Sequence, residues 1–146
     1  MPIANLLPTS PIQDSAAAET LLEIAFLMTA VDGRLEPQEI AAFGEIAARV
    51  SGTSVSAIDP AELTRRFAVA SEPAAITARV RAIAPTLPAA LREVTFKIAI
   101  GLALVDDDAS PLEDELVGVL FDSLGLEPGR AEELAAEARM IMAVKA

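Results

Sequence analysis

Proline divides this chain into helix-sized pieces. Lacking an N–H and with φ fixed near −65°, it suits the first turn of a helix and breaks the interior. Three of the ten prolines sit in capping boxes, "SPIQ" (Ser10 to Gln13), "DPAE" (Asp59 to Glu62) and "SPLE" (Ser110 to Glu113). In each, a small polar or acidic residue stands before the proline and Glu or Gln stands three places on, which is a helix start. "EPQE" (Glu36 to Glu39) has the same outline, and Pro73, Pro88 and Pro128 open three further segments.

About seven helices follow. The first runs from near Pro11 to Val31 and the second from Pro37 to about Ser51. The third and fourth are short, near Pro60 to Ala70 and Pro73 to Ala84. The fifth runs from Pro88 to Val105; its stretch from Ile98 is apolar all round, so it is expected to be the most buried. The sixth runs from Pro111 to Leu124, stopped by Gly125, and the seventh from Pro128 towards Val144. Helix stripes recur: Ile40, Phe43, Ile46, Ala47 and Val50 in the second, Leu112, Leu116, Val119, Leu120 and Leu124 in the sixth. No segment alternates as a strand does. Apolar residues make up 53% of the 146, much of that alanine, and the aromatics are five Phe. Alanine favours closely packed helices, whereas sheets favour β-branched and aromatic residues. The expected fold is an all-α bundle forming a single domain over 1–146, with its core over about 14–142 and residues 1–10 as an extended N-terminal arm.

The chain also matches itself. Shifted by 74 residues, "IAFLMTAVDGRLEPQEIAAFG" falls on "IAIGLALVDDDASPLEDELVG". Ile24/Ile98, Ala25/Ala99, Val31/Val105, Asp32/Asp106, Pro37/Pro111, Glu39/Glu113 and Gly44/Gly118 are identical. The expectation is two helical hairpins, each an apolar helix, an acidic corner and a Pro-started helix.

The first corner, "DGRLEPQE", resembles the second half of a calcium-binding EF-hand loop. Asp32, Gly33, Leu35 and Glu39 fit loop positions 5, 6, 8 and 12. Met28 and Ala30 fall where the earlier ligands belong and cannot ligate through their side chains. In the second corner Asp106 and Glu113 take the acid places, with Leu102 and Leu104 at positions 1 and 3. A shifted register, with Asp106, Asp108 and Glu115 as the acids, still begins on Leu104. Neither corner is a complete EF-hand. A turn without metal also explains each: Gly33 can end one helix in the left-handed conformation, and Glu39 favours the dipole at the start of the next.

Pseudo-twofold packing of the hairpins would gather Asp32, Glu39, Asp106 and Glu113. At about 6 Å and an effective dielectric near 40, each pair repels by roughly 1.4 kcal/mol, and six pairs by about 8. That rivals the stability of a small domain, about 5–15 kcal/mol. Such a cluster needs a cation, protonation or nearby arginines. The chain has no His and no Cys, so an oxygen-only site would take Ca²⁺, Mg²⁺ or Mn²⁺.

The same composition narrows function. Net charge is −11, which opposes nucleic-acid binding. Without His a Ser/His/Asp triad is impossible, and without Cys thiol catalysis is too. There is no phosphate-binding glycine loop, and Phe alone makes a poor sugar cleft. A non-enzymatic role is expected. The N-terminus has no basic n-region and the longest apolar run is far short of a span, so a cytoplasmic protein without membrane insertion is expected. Charge is uneven: between Thr53 and Arg92 five arginines (Arg65, Arg66, Arg79, Arg81, Arg92) face three acids. This allows an Arg-rich patch on an acidic body; the arginines could equally solvate helix faces.

A helix ending in A-x-D-G-x-Φ-x-x-x-E, Φ being apolar, spans Ala30, Asp32, Gly33, Leu35 and Glu39. A second corner holds Val105, Asp106, Ser110, Pro111 and Glu113, followed by "SLGL" (Ser123 to Leu126). Together these resemble the TerB-like domain family, that of the tellurite-resistance protein TerB and the N-terminal part of the co-chaperone DjlA. The resemblance implies an all-α bundle of about seven helices and a cytoplasmic role in tellurite or chemical stress. It further implies divalent-metal sensing through Asp32 and Glu39, and through Asp106 and Glu113, beside membrane-associated protein partners. Asp107 stands where the family pattern has Gly, so the first corner is the closer match. The alternative is a metal-free interaction module that uses the acidic face and the Arg-rich patch.

Overall fold

The computed structural model describes residue 6 and residues 12–31, 37–52, 72–105 and 111–143. Helix α1 (Ser15–Ala30) starts where Asp14 caps it: the carboxylate accepts from the backbone N–H of Ala16 at 3.1 Å and of Ala17 at 3.2 Å. This corrects the start expected near Pro11. Asp14 satisfies two of the orphan donors of the first turn, while the Ile12 N–H donates outside the helix, to the Val50 carbonyl at 3.1 Å. The entering segment is thereby held against the end of the next helix. Leu6, within the stretch read as an arm, is buried in the core.

Helix α2 (Pro37–Ser51) follows the sequence expectation at both ends, and Gly52 at φ 77° terminates it. Helix α3 (Pro73–Ile83) has proline in its first turn and runs into a 3-10 turn, Ala84–Thr86. Helix α4 (Ala89–Val105) begins directly after Pro88. Helix α5 (Pro111–Leu124) is stopped by Gly125 at φ 69°, a conformation that costs glycine little and other residues more. Helix α6 (Pro128–Ala143) is the last of the described helices. Among the described residues there are six α-helices and no strand. The helix expected at Pro60 to Ala70 lies outside them.

Helix α1 occupies the centre and contacts α2, α3, α4, α5 and the 3-10 turn, while α6 packs on α4. Every residue from Leu21 to Thr29 is buried. The sequence points to the fifth expected segment, α4, as the most buried, and the structure reverses this. In α4, Ile100 and Ala103 are half-buried and Leu104 is 41% exposed. Within the apolar run of α4, Ile98, Ala99 and Leu102 are buried while the positions on the other side are not; enclosure by other helices sets burial, not apolar content alone. Two aromatic pairs clamp the hairpins: Phe26 with Phe43 at a centroid distance of 5.8 Å, and Phe96 with Phe121 at 5.7 Å. No described helix is long and apolar enough to cross a membrane.

Candidate functional site: the cleft beside the acidic corners

Of the four acids marked as metal ligands, Glu39 is the third residue of α2 and Glu113 the third of α5, both in first turns opened by proline. There the free N–H groups and the helix dipole favour a negative side chain. Asp32 and Asp106 lie outside the described residues, as do Gly33 and Leu35. Among the described residues, no group of three or more acidic side chains is placed to hold a metal ion. The donor set fits a hard cation on chemistry: with neither His nor Cys in the chain, the side-chain donors are oxygens.

The structure adds a cleft of about 450 Å³ that sequence reasoning missed. Val31, at the end of α1, and Leu116 of α5 are buried at its base. Ala74, Thr77, Ala78 and Arg81 of α3 form one wall, and Leu112 and Glu115 of α5 the other. Val31 directly precedes Asp32, and Leu112 directly precedes Glu113. The cleft is therefore bordered by the last turn before the first corner and the first turn after the second. The signal in sequence was faint: in "PAAITARVRAI" the buried Ile76, Val80 and Ile83 form one stripe, which leaves the small residues Ala74 and Ala78 on an exposed face.

Helix α3 is fixed to α1 by a charge pair that the sequence reading also missed. Glu23, buried in α1, accepts from Arg79 twice, from Nε at 2.5 Å and from Nη2 at 3.0 Å. This hydrogen bonding raises the Arg79 pKa further above its usual value, against the opposing effect of burial. The visible signal is a lone acid inside "LLEIAF", which a buried helix tolerates only with a partner. Arg92 is occupied too. Its guanidinium donates to the carbonyls of Leu87 (3.0 Å), Pro85 (3.1 Å) and Leu124 (3.1 Å), clamping the end of α5 to the turn before α4.

The Arg-rich patch is thus partly spent on structure. Arg79 and Arg92 hold helices together, and Arg65 and Arg66 lie outside the described residues. Arg81 is exposed in the cleft, without an ion-pair partner among the described residues. Farther away, Arg130 of α6 pairs with Glu93 of α4 (2.8 Å) and with Glu133 (2.6 Å), and Lys97 reaches Glu137 at 3.5 Å.

No curated protein and no solved structure gives a significant match to the chain. Residues 15–136 match the sequence model of the family described as "Tellurite resistance protein TerB". The match begins on the first residue of α1, runs through both corners and ends within α6. With the helical architecture, it establishes that this chain belongs to the TerB family.

Proposed function

We propose that this chain is a non-enzymatic stress-response protein of the tellurite-resistance type that binds a divalent cation, Ca²⁺, Mg²⁺ or Mn²⁺, through its acidic corners. Asp32 and Glu39 form one carboxylate pair and Asp106 and Glu113 the other, each at the bend of a repeated helical hairpin. The supporting observation is the shared cleft: Val31 and Leu112, which line it, are the chain neighbours of Asp32 and Glu113. The turns that adjoin the two corners border one cleft, which suits the corners to joint action, and gathered carboxylates gain from a counter-cation. When bound, the cation would supply charge neutralisation and hold the two bends at a set spacing. The protein would work in the cytoplasm beside membrane-associated protein partners.

The test is thermal. A cation that binds only the folded protein stabilises it by about 2.7 kcal/mol at a hundred times its Kd, a rise in Tm of roughly 5–10 °C for a domain of this size. Millimolar Ca²⁺, Mg²⁺ or Mn²⁺ should produce it, and Asp32→Asn with Glu39→Gln should remove most of it. No rise with any of the three ions defeats the reading and favours the metal-free interaction module.

A further inference from the structure

The cleft has the wrong shape for a small ligand. Such sites enclose most of the molecule and converge several polar groups on it. This one is open to solvent, and among the described residues its polar lining side chains are Thr77, Arg81 and Glu115. It is instead a groove between two helices, apolar along its base and charged with opposite sign on its two walls. Val31, Ala74, Ala78, Leu112 and Leu116 supply the apolar surface. Arg81 stands on the α3 wall and Glu115 on the α5 wall. Ala74 and Ala78 are exposed small residues, so a helix can approach α3 closely there.

We propose that this groove docks an amphipathic helix of a partner protein, with an apolar ridge flanked by a basic edge and an acidic edge. The ridge enters between α3 and α5 as helix-in-groove recognition does. The basic edge meets Glu115, and the acidic edge meets Arg81. Charge polarity across the groove sets the direction in which the helix lies, because reversing it brings like charges together. The acidic balance of the whole chain aids capture of the basic edge. The proposal does not depend on a cation: the groove surface is formed by α1, α3 and α5 themselves.

The experiment uses the full chain in EDTA and a fluorescent 18-residue Leu/Ala peptide carrying Lys along one edge and Glu along the other, read by anisotropy. Saturable binding is expected, weakened by salt. Ala78→Trp should fill the groove and weaken binding at least tenfold, while Ala82→Trp, exposed on the same helix but outside the groove, should leave it within twofold. Arg81→Glu alone and Glu115→Arg alone should each weaken binding. The two combined should restore it, since the peptide can then lie reversed. Circular dichroism confirms that each variant is folded; should Ala78→Trp misfold, the charge exchange carries the test. Absence of binding, equal binding to Ala78→Trp, or no restoration by the exchange overturns the proposal. So does self-association that Ala78→Trp abolishes, which gives the groove to a second copy. Cation-induced stabilisation without peptide binding sinks this inference alone; peptide binding without it sinks only the cation reading.

Discussion

The hairpin α1–α2 and the hairpin α4–α5 have the same spacing and opposite situations. Their first helices start 74 residues apart, at Ser15 and Ala89, and so do their second, at Pro37 and Pro111. The inner faces agree in burial: Ile24 with Ile98, Met28 with Leu102, Ala42 with Leu116, Ile46 with Leu120 and Val50 with Leu124. The outer faces diverge. Glu23 is buried and paired to α3, whereas Lys97, 74 residues on, is half-buried and reaches Glu137. The aromatic clamp also shifts: relative to Phe26 and Phe43, Phe96 and Phe121 each sit one turn farther from the corner. The inner face of a hairpin is set by its own partner helix. The outer face is set by what the rest of the chain places against it.

Core truncation gives the largest effect. Phe26→Ala removes a buried ring from the enclosed helix and should cost about 3–5 kcal/mol. Ile100→Ala, at the matching position, should cost about 1–2 because part of the side chain already meets water. Denaturant melts of the two variants check this; equal losses would mean that α4 is as enclosed as α1. Next come the charges. Arg79→Met strands the buried Glu23 carboxylate and should cost about 1–3 kcal/mol, held below the cost of breaking a fully buried pair because Arg79 is half-exposed. Lys97→Met should change stability by no more than about 0.5 kcal/mol. If both variants lose the same, the contrast between the outer faces is wrong.

The helix starts were legible because proline and capping residues act within one turn. Pro37, Pro73, Pro111 and Pro128 each stand at the first position of a helix, as read from sequence. Where a local competitor stood close by, the reading slipped: Asp14 took the cap from the Ser10 box. Burial was less legible, since the run from Ile98 to Val105 says nothing about how many helices surround it. The cleft was least legible. It is made by residues from three helices, none remarkable locally, and its Arg81 looked like any arginine in a charged stretch. Of the four expected ligands, sequence placed Glu39 and Glu113 correctly in first turns; Asp32 and Asp106 lie outside the described residues.

Glycine separates local from tertiary demands on a smaller scale. Gly118 lies 74 residues after Gly44, which invites a functional role, yet a Cβ at either meets nothing within 4 Å. Gly118 is exposed inside α5, so Gly118→Ala should stabilise by about 0.5–1 kcal/mol through helix propensity. Gly125→Ala should do the reverse. The added methyl would lie an ordinary 3.8 Å from Arg92, but φ at +69° strains any L side chain, at about 1–2 kcal/mol. Thermal melts of the two variants should shift in opposite directions.

The smallest effect concerns acid, and it distinguishes the hairpins by what lies outside them. Helix α4 is tied to α6 through Glu93 and Arg130, whereas α1 is tied to α3 through the buried pair. The Arg130 hydrogen bond holds the Glu93 carboxyl below its usual pKa against opposing desolvation, with the charges of Arg130 and Lys97 adding to the lowering. A depressed carboxylate pKa means that the unfolded chain takes up the proton first. The pair therefore contributes fully above the usual carboxylate range, and the contribution disappears as pH falls through the lower, folded value. Both partners are solvent-accessible, so salt screens the interaction and the effect is small. Glu93→Gln should lower Tm slightly at neutral pH and low salt, and the gap from the unmodified protein should close in acid and in high salt. A gap that persists at acid pH would assign Glu93 a packing role instead, and the tie between α4 and α6 would then rest on apolar contacts such as Leu134 and Ala138, both buried on the inner side of α6.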